Sequence, residues 1–155
     1  MLPVGYKDEA SLVKKHERWI NRKIDMINEA LDESKNLTLV MRTVEESRSL
    51  INDIVRRYEQ LEGKKVGRIY FREMISKWAS YSRKGNVTVN TMMYYLPNKL
   101  VSYVLFHELT HSAIRKHNTK FWKRAEKSFI HHNDLEKQFF SYWFLLRRKR
   151  DLISK

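Results

Sequence analysis

His107 and His111 stand four residues apart with Glu108 beside the first, in the run His107-Glu108-Leu109-Thr110-His111. On a helix that separation is one turn on a shared face, so both imidazoles can reach a single ion. Glu108 is then placed to take a proton from water that the ion has acidified. The implied chemistry is metal-assisted hydrolysis, with His107 and His111 as ligands and Glu108 as general base. The chain has no cysteine, which excludes a disulfide framework, a thiolate zinc finger and a Cys nucleophile. Any metal must be held by histidine and carboxylate, which suits a catalytic zinc ion better than a closed structural one.

Catalytic zinc normally takes three protein ligands and keeps one position open. His117 leads the candidates for the third. On an unbroken helix six residues turn through about 600° and rise about 9 Å, which would face His117 away from the ion. It can join only if the helix stops around Arg115-Lys116 and the chain doubles back. Those two cations suit a helix C-terminus, and Asn118 or Thr119 can cap the next helix. Glu126, His131 and His132 are the rival ligands. The His131-His132 pair also reads as loop residues ahead of an Asp134 cap.

Four Gly and two Pro in 155 residues leave mostly regular structure with short loops. Three-and-four spacing of Leu12, Val13, His16, Trp19, Ile20, Lys23, Ile24, Ile27, Ala30 and Leu31 predicts an amphipathic helix over 9–34, its stripe mostly core. His16 is read as a packing or boundary residue. Alternation of Leu37, Leu39 and Met41 predicts a half-buried strand over 36–42. Thr43 and Glu46 form a capping box that opens a helix to about residue 61, burying Val44, Leu50, Ile51, Ile54, Val55 and Tyr58. Residues 68–78, rich in β-formers, predict a strand; Lys84-Gly85-Asn86 is a turn signal before a short alternating strand over 87–90, which is expected to pair antiparallel with the first across the 80–85 connection. Pro97 starts the helix that carries the histidines, and helices over 119–130 and 134–149 follow.

These elements predict an α+β fold, with a small, mainly antiparallel sheet packed against helices that include the His-Glu-x-x-His helix. We expect one domain over 1–155: N-terminal helices and a strand to 66, sheet and metal-binding core over 67–122, and C-terminal helices from 123. The net charge of +13 points to an anionic partner such as nucleic acid or a nucleotide, against the alternative of a merely solvated basic surface. The densest run is Arg147-Arg148-Lys149-Arg150. The apolar run 100–106 is too short to span a bilayer, and Met1-Leu2-Pro3-Val4-Gly5 lacks signal-peptide features, so we expect a cytoplasmic protein without a membrane partner. Oligomeric state is not legible.

Three stretches resemble the YgjP-like metallopeptidase-domain family, a zincin group related more distantly to WLM and SprT-like proteins. The first is Arg72-Glu73-Met74-Ile75-Ser76-Lys77-Trp78-Ala79-Ser80-Tyr81-Ser82. The second is Gly85-Asn86-Val87-Thr88-Val89-Asn90, followed by Pro97 and the apolar helix start. The third is His107-Glu108-Leu109-Thr110-His111 with His117 and Phe121-Trp122. Ala79 and Tyr81 depart from the usual glycine and cysteine. The resemblance implies a zincin-like fold, zinc held by His107, His111 and His117, and Glu108 as general base. For SprT-like relatives it also implies proteolysis of DNA-bound proteins, and within the YgjP-like group one reported activity is nucleotide pyrophosphate hydrolysis.

The leading expectation is a zinc metallopeptidase acting on a peptide or protein, with an extended substrate lying against the strand of Val87 and Val89. The alternatives are a metal-dependent nucleotide pyrophosphatase or phosphohydrolase, and a basic nucleic-acid-associated protease or binding module. An all-nitrogen ligand set argues against the Mg²⁺ or Mn²⁺ that phosphohydrolysis needs.

Overall fold

The structure, a computed structural model, describes residues 9–153, with side chains at 14 and 16–150. Leu12, Val13 and the Met1–Gly5 segment lie outside the described side chains. The chain forms two compact units. One consists of the chain up to Leu37 together with the chain from Phe140; the other is Thr38–Phe139. Among the described residues no helix is long and apolar enough to cross a membrane.

The first unit contains helix α1 (Glu9–Ser34) and the C-terminal part of α5 (His132–Ile153). The helix over 9–34 forms as its spacing predicts, but its stripe is not core. Trp19 is 59% exposed and Ile24 48%, with Ile27 and Leu31 also exposed, while Ala30 is buried. His16 is exposed as well. The unit offers one other helical segment, too little surface to cover a 26-residue helix on a whole face. Within this unit the Ser141 hydroxyl donates to Glu33 at 2.9 Å.

The second unit opens with 38–42, which is irregular and joins no strand of the sheet, contrary to the strand expectation over 36–42. Val40 N–H of this segment donates to the Tyr95 carbonyl at 2.9 Å. The Arg42 guanidinium then donates to the carbonyls of Tyr94 and Leu96, at 2.8 and 2.7 Å, and to the Asn98 side chain. Met41 is 79% exposed. Side-chain anchoring takes the place of a ladder here.

Helix α2 (Val44–Glu62) begins with the expected capping box of Thr43 and Glu46 and ends at Gly63, which is left-handed with φ 64°. It buries Ser47, Ile51, Val55 and Tyr58, one stripe at helical spacing; Val44 is exposed at its start. Three short strands follow: β1 (Ile69–Arg72), β2 (Ala79–Tyr81) and β3 (Val87–Asn90), in the order β1-β3-β2. The antiparallel partner of β3 is β2, which falls where a connection was expected, whereas β1, the expected antiparallel partner, pairs with β3 in parallel. The sheet is therefore mixed rather than mainly antiparallel. The expected continuous strand over 68–78 is interrupted because Asn90, fully buried, donates its side-chain amide to the carbonyls of Met74 and Lys77, at 3.0 and 2.8 Å. That pins 73–78 as an irregular excursion, so the chain reaches β2 on the far side of β3.

A short 3₁₀ helix (Thr91–Tyr95) leads through Pro97 into α3 (Asn98–Thr110). α3 buries Leu100, Val101, Tyr103, Val104, Leu105 and Leu109. It is apolar on several faces because it packs against α2, β2 and α4 (Thr119–Ser128). α4 is capped by the Asn118 side chain, which accepts from the Phe121 amide at 3.1 Å.

Candidate metal centre and cleft

His107 and Glu108 lie in the last turn of α3, and His111 is its C-cap. The helix stops at Thr110, earlier than the Arg115-Lys116 boundary expected from charge. Ser112, Ala113 and Ile114 donate back to the carbonyls of Leu109 and Thr110, at 3.0, 3.0 and 2.9 Å, which turns the chain sharply. Tyr58 of α2 closes this end by donating its hydroxyl to the Leu109 carbonyl at 2.9 Å. The chain then doubles back before Asn118 starts α4, and His117 lies in that return.

The return brings three imidazoles together. Nε2 of His117 lies 2.8 Å from Nε2 of His107 and 3.1 Å from Nε2 of His111. The three potential ligand atoms are all within 4.8 Å of one another. Of the rival third ligands, Glu126 and His131 are exposed, His132 is buried against Trp122, and none of them joins the cluster.

Outer contacts set the ring orientations. The Ile114 carbonyl lies 3.0 Å from His111 Nδ1. A carbonyl only accepts, so Nδ1 carries the proton and the lone pair of Nε2 faces the cluster. Glu136 places Oε1 3.8 Å from His107 Nδ1 and accepts the Tyr103 hydroxyl at 2.8 Å. Phe121, fully buried, is a common floor, with ring centroids 4.8, 4.9 and 4.8 Å from those of His107, His111 and His117.

Burial, then the adjacent His117 and His111, pulls the His107 imidazole down to about 4. His117 is lowered too, by burial and by His111, with Glu136 opposing. Ring nitrogens brought this close repel each other unless a shared proton or a cation sits between them. A tetrahedral zinc ion with bonds of about 2.0–2.1 Å would separate its nitrogens by about 3.3–3.4 Å, which lies between the 2.8 and 3.1 Å of the two His117 pairs and the 4.8 Å that bounds all three atoms. The residues fit the ion.

Glu108 has the complementary electrostatics. Burial raises its carboxyl to about 7, against the opposing effects of the Lys77 cation and a hydrogen bond from the Tyr81 backbone amide. It lines a cleft of about 380 Å³ with His107, His111, Lys77, Glu136 and all of β2, and Trp78, Tyr103 and Phe139 form an aromatic wall. The expected substrate strand is corrected here. β3, which carries Val87 and Val89, is central and has both edges paired, so nothing can add to it. The cleft edge belongs to β2. Ladder bonds at Asn90–Trp78 and Ser82–Asn86 make Ala79 and Tyr81 the non-bonded positions opposite β3, so their amides and carbonyls point outward.

The profile described as YgjP-like, metallopeptidase domain, matches residues 28–140. The chain belongs to the YgjP-like family. All three stretches on which the resemblance rested lie inside that match. A YgjP-like metallopeptidase domain implies a catalytic metal, and the three-histidine cluster is where the donors for one converge. The chain is similar to the metallopeptidase zymogen abylysin of Pyrococcus abyssi, at 22% identity and TM-score 0.52 over 59% of this chain and 92% of that one. It is also similar to the zymogen jannalysin of Methanocaldococcus jannaschii, at 23% identity and TM-score 0.51 over 60% and 92%. These likenesses show a shared fold. A mutant of Wss1 from S. pombe matches at 15% identity and TM-score 0.45, over 60% of this chain and 81% of that one. No curated protein matches the chain significantly.

Sequence reasoning missed Tyr58, Tyr103 and Glu136 as supports of this YgjP-like site. Tyr58 and Tyr103 fell in apolar stripes and were read as core, and Glu136 sits on a helix with no local sign of its partner. Lys77 and Tyr81 lie in a stretch that resembles the family's, but nothing local in sequence gives them a role, because their nearness to Glu108 arises from strand pairing.

Proposed function

We propose that this YgjP-like domain is a zinc-dependent peptidase, with His107, His111 and His117 as metal ligands and Glu108 as general base. The observation that carries the reading is the convergence of three Nε2 atoms next to a half-buried carboxylate in a cleft bordered by a strand edge. Bound to the three imidazoles, a zinc ion would supply a Lewis acid that acidifies water and polarises a carbonyl.

The chain's own groups do the rest. The Glu108 carboxylate, raised to about 7, accepts a proton from the attacking water at neutral pH and returns it to the leaving amine. The Tyr81 amide and Lys77 steady the carboxylate. The outward-pointing Ala79 amide and the carbonyls of Ala79 and Tyr81 pair with an extended peptide, the Tyr81 amide being held by Glu108, and the aromatic wall of Trp78, Tyr103 and Phe139 receives a side chain and excludes water. Three nitrogen donors favour zinc over Mg²⁺, so peptide hydrolysis is preferred to phosphohydrolysis. The match over 28–140 reaches into both compact units, which supports treating the chain as one functional domain.

Elemental analysis of the purified protein, paired with hydrolysis of an unfolded protein such as casein, tests this. We expect one zinc per chain, its loss in His117→Ala, and casein cleavage abolished by a chelator. A protein without stoichiometric metal, or cleavage unaffected by chelation, overturns the reading.

A further inference from the structure

The three imidazoles are not held equally. His107 sits within α3 and His111 at its cap, pinned by the Ile114 carbonyl. His117 comes from an irregular return segment and its residue is exposed. Among the described residues the hydrogen-bond partners of its ring are the two other imidazoles. Those bonds would be surrendered to a metal, so they cannot orient the ring for one.

Its orientation comes instead from α4. Phe121 meets the His117 ring edge-on at 4.8 Å and 90°, and Trp122 stacks on it at 5.8 Å and 28°. Phe121 serves all three histidines, whereas Trp122 has its stacking contact with His117 alone among them; its contact with His107 is edge-on at 6.2 Å. Trp122 is itself backed, stacking on His132 at 5.5 Å and 23°. His132 is 8% exposed. It follows His131, whose left-handed φ of 66° turns the chain between α4 and α5. Asn118 caps α4 immediately after His117, so the register from His117 to Trp122 is fixed by a helix start rather than by a flexible linker.

We propose that Trp122, supported by His132, is a positioning residue that presets the ring plane of His117 for metal binding. This rests on the three-histidine reading above. An imidazole oriented before the metal arrives loses less freedom on binding it, and supports of this kind typically alter metal affinity by about 10–100-fold. The stack also explains why the rival histidine at 132 stays out of the cluster: its ring is engaged behind Trp122.

The test measures zinc affinity by competition with a chelating dye, and the visible absorption of the cobalt-substituted protein, for the parent, His117→Ala, Trp122→Leu and Trp122→Phe. Thermal unfolding of each metal-free protein runs alongside. We expect Trp122→Leu to bind zinc about 10–100-fold more weakly with an altered cobalt spectrum, and Trp122→Phe, which keeps a stacking face, to recover most of the affinity and the parent spectrum. A merely structural role would lower the unfolding temperature and leave the cobalt spectrum unchanged. A folded Trp122→Leu protein with parent affinity and spectrum overturns the proposal while leaving the metal site standing. A parent protein that binds no zinc overturns both. Should Trp122→Leu fail to fold, His132→Leu replaces it: weaker zinc binding supports the proposal, and parent affinity overturns it.

Discussion

The Tyr58 hydroxyl donates to the Leu109 carbonyl at 2.9 Å, tying the C-terminal end of the buried stripe of α2 to the turn of α3 that carries His107, Glu108 and His111. Both residues are buried, Tyr58 at 7% exposure and Leu109 at 1%. Burial also raises the Tyr58 phenol above its ordinary range, so it remains a donor at any working pH.

Tyr58→Phe keeps the ring and removes the donor, leaving the Leu109 carbonyl without this partner. We expect a loss of about 1–3 kcal/mol in denaturant unfolding, and weaker zinc binding as the end of α3 loosens. Unchanged stability would mean that water replaces the hydroxyl there.

Glu108→Gln should preserve zinc content and affinity, because the carboxylate is beside the three nitrogens and not among them. Turnover of an unfolded protein substrate should fall by about 10²–10⁴-fold or more. Near-parent turnover in this variant would remove Glu108 from the mechanism.

Glu126→Ala and His131→Ala should leave zinc stoichiometry untouched, since both residues are exposed and outside the cluster. His111→Ala should lower it sharply. Loss of zinc on changing residue 126 or 131 would require a ligand set other than the one proposed.

Asn90→Ala removes the two side-chain bonds to Met74 and Lys77 and the cap on Met92, which Asn90 Oδ1 makes at 3.1 Å. We expect about 2–4 kcal/mol of lost stability. Because Lys77 and Trp78 border the cleft, KM for peptide substrates should rise more than kcat falls. Kinetics showing the reverse split would place the effect elsewhere.

What could be read from the chain alone were features completed within a turn or two of helix. His107, Glu108 and His111 meet because 3.6 residues make a turn, and the Thr43–Glu46 box, the Asn118 cap and the Lys84-Gly85-Asn86 turn are equally local. The choice of His117 over Glu126, His131 and His132 was legible only as a condition, that the helix must stop. Where it stops is set by the turn after Thr110 and by Tyr58, which is distant in sequence. Side chains from far along the chain decided the remainder. Asn90 breaks the strand expected over 68–78 and leaves β1 parallel to β3. Arg42 anchors 38–42 without a sheet, and the sparse cover over α1 leaves its apolar stripe in water. Pattern reports which residues share a face, but which neighbour covers that face depends on packing, and packing joins residues that the sequence keeps dozens of positions apart.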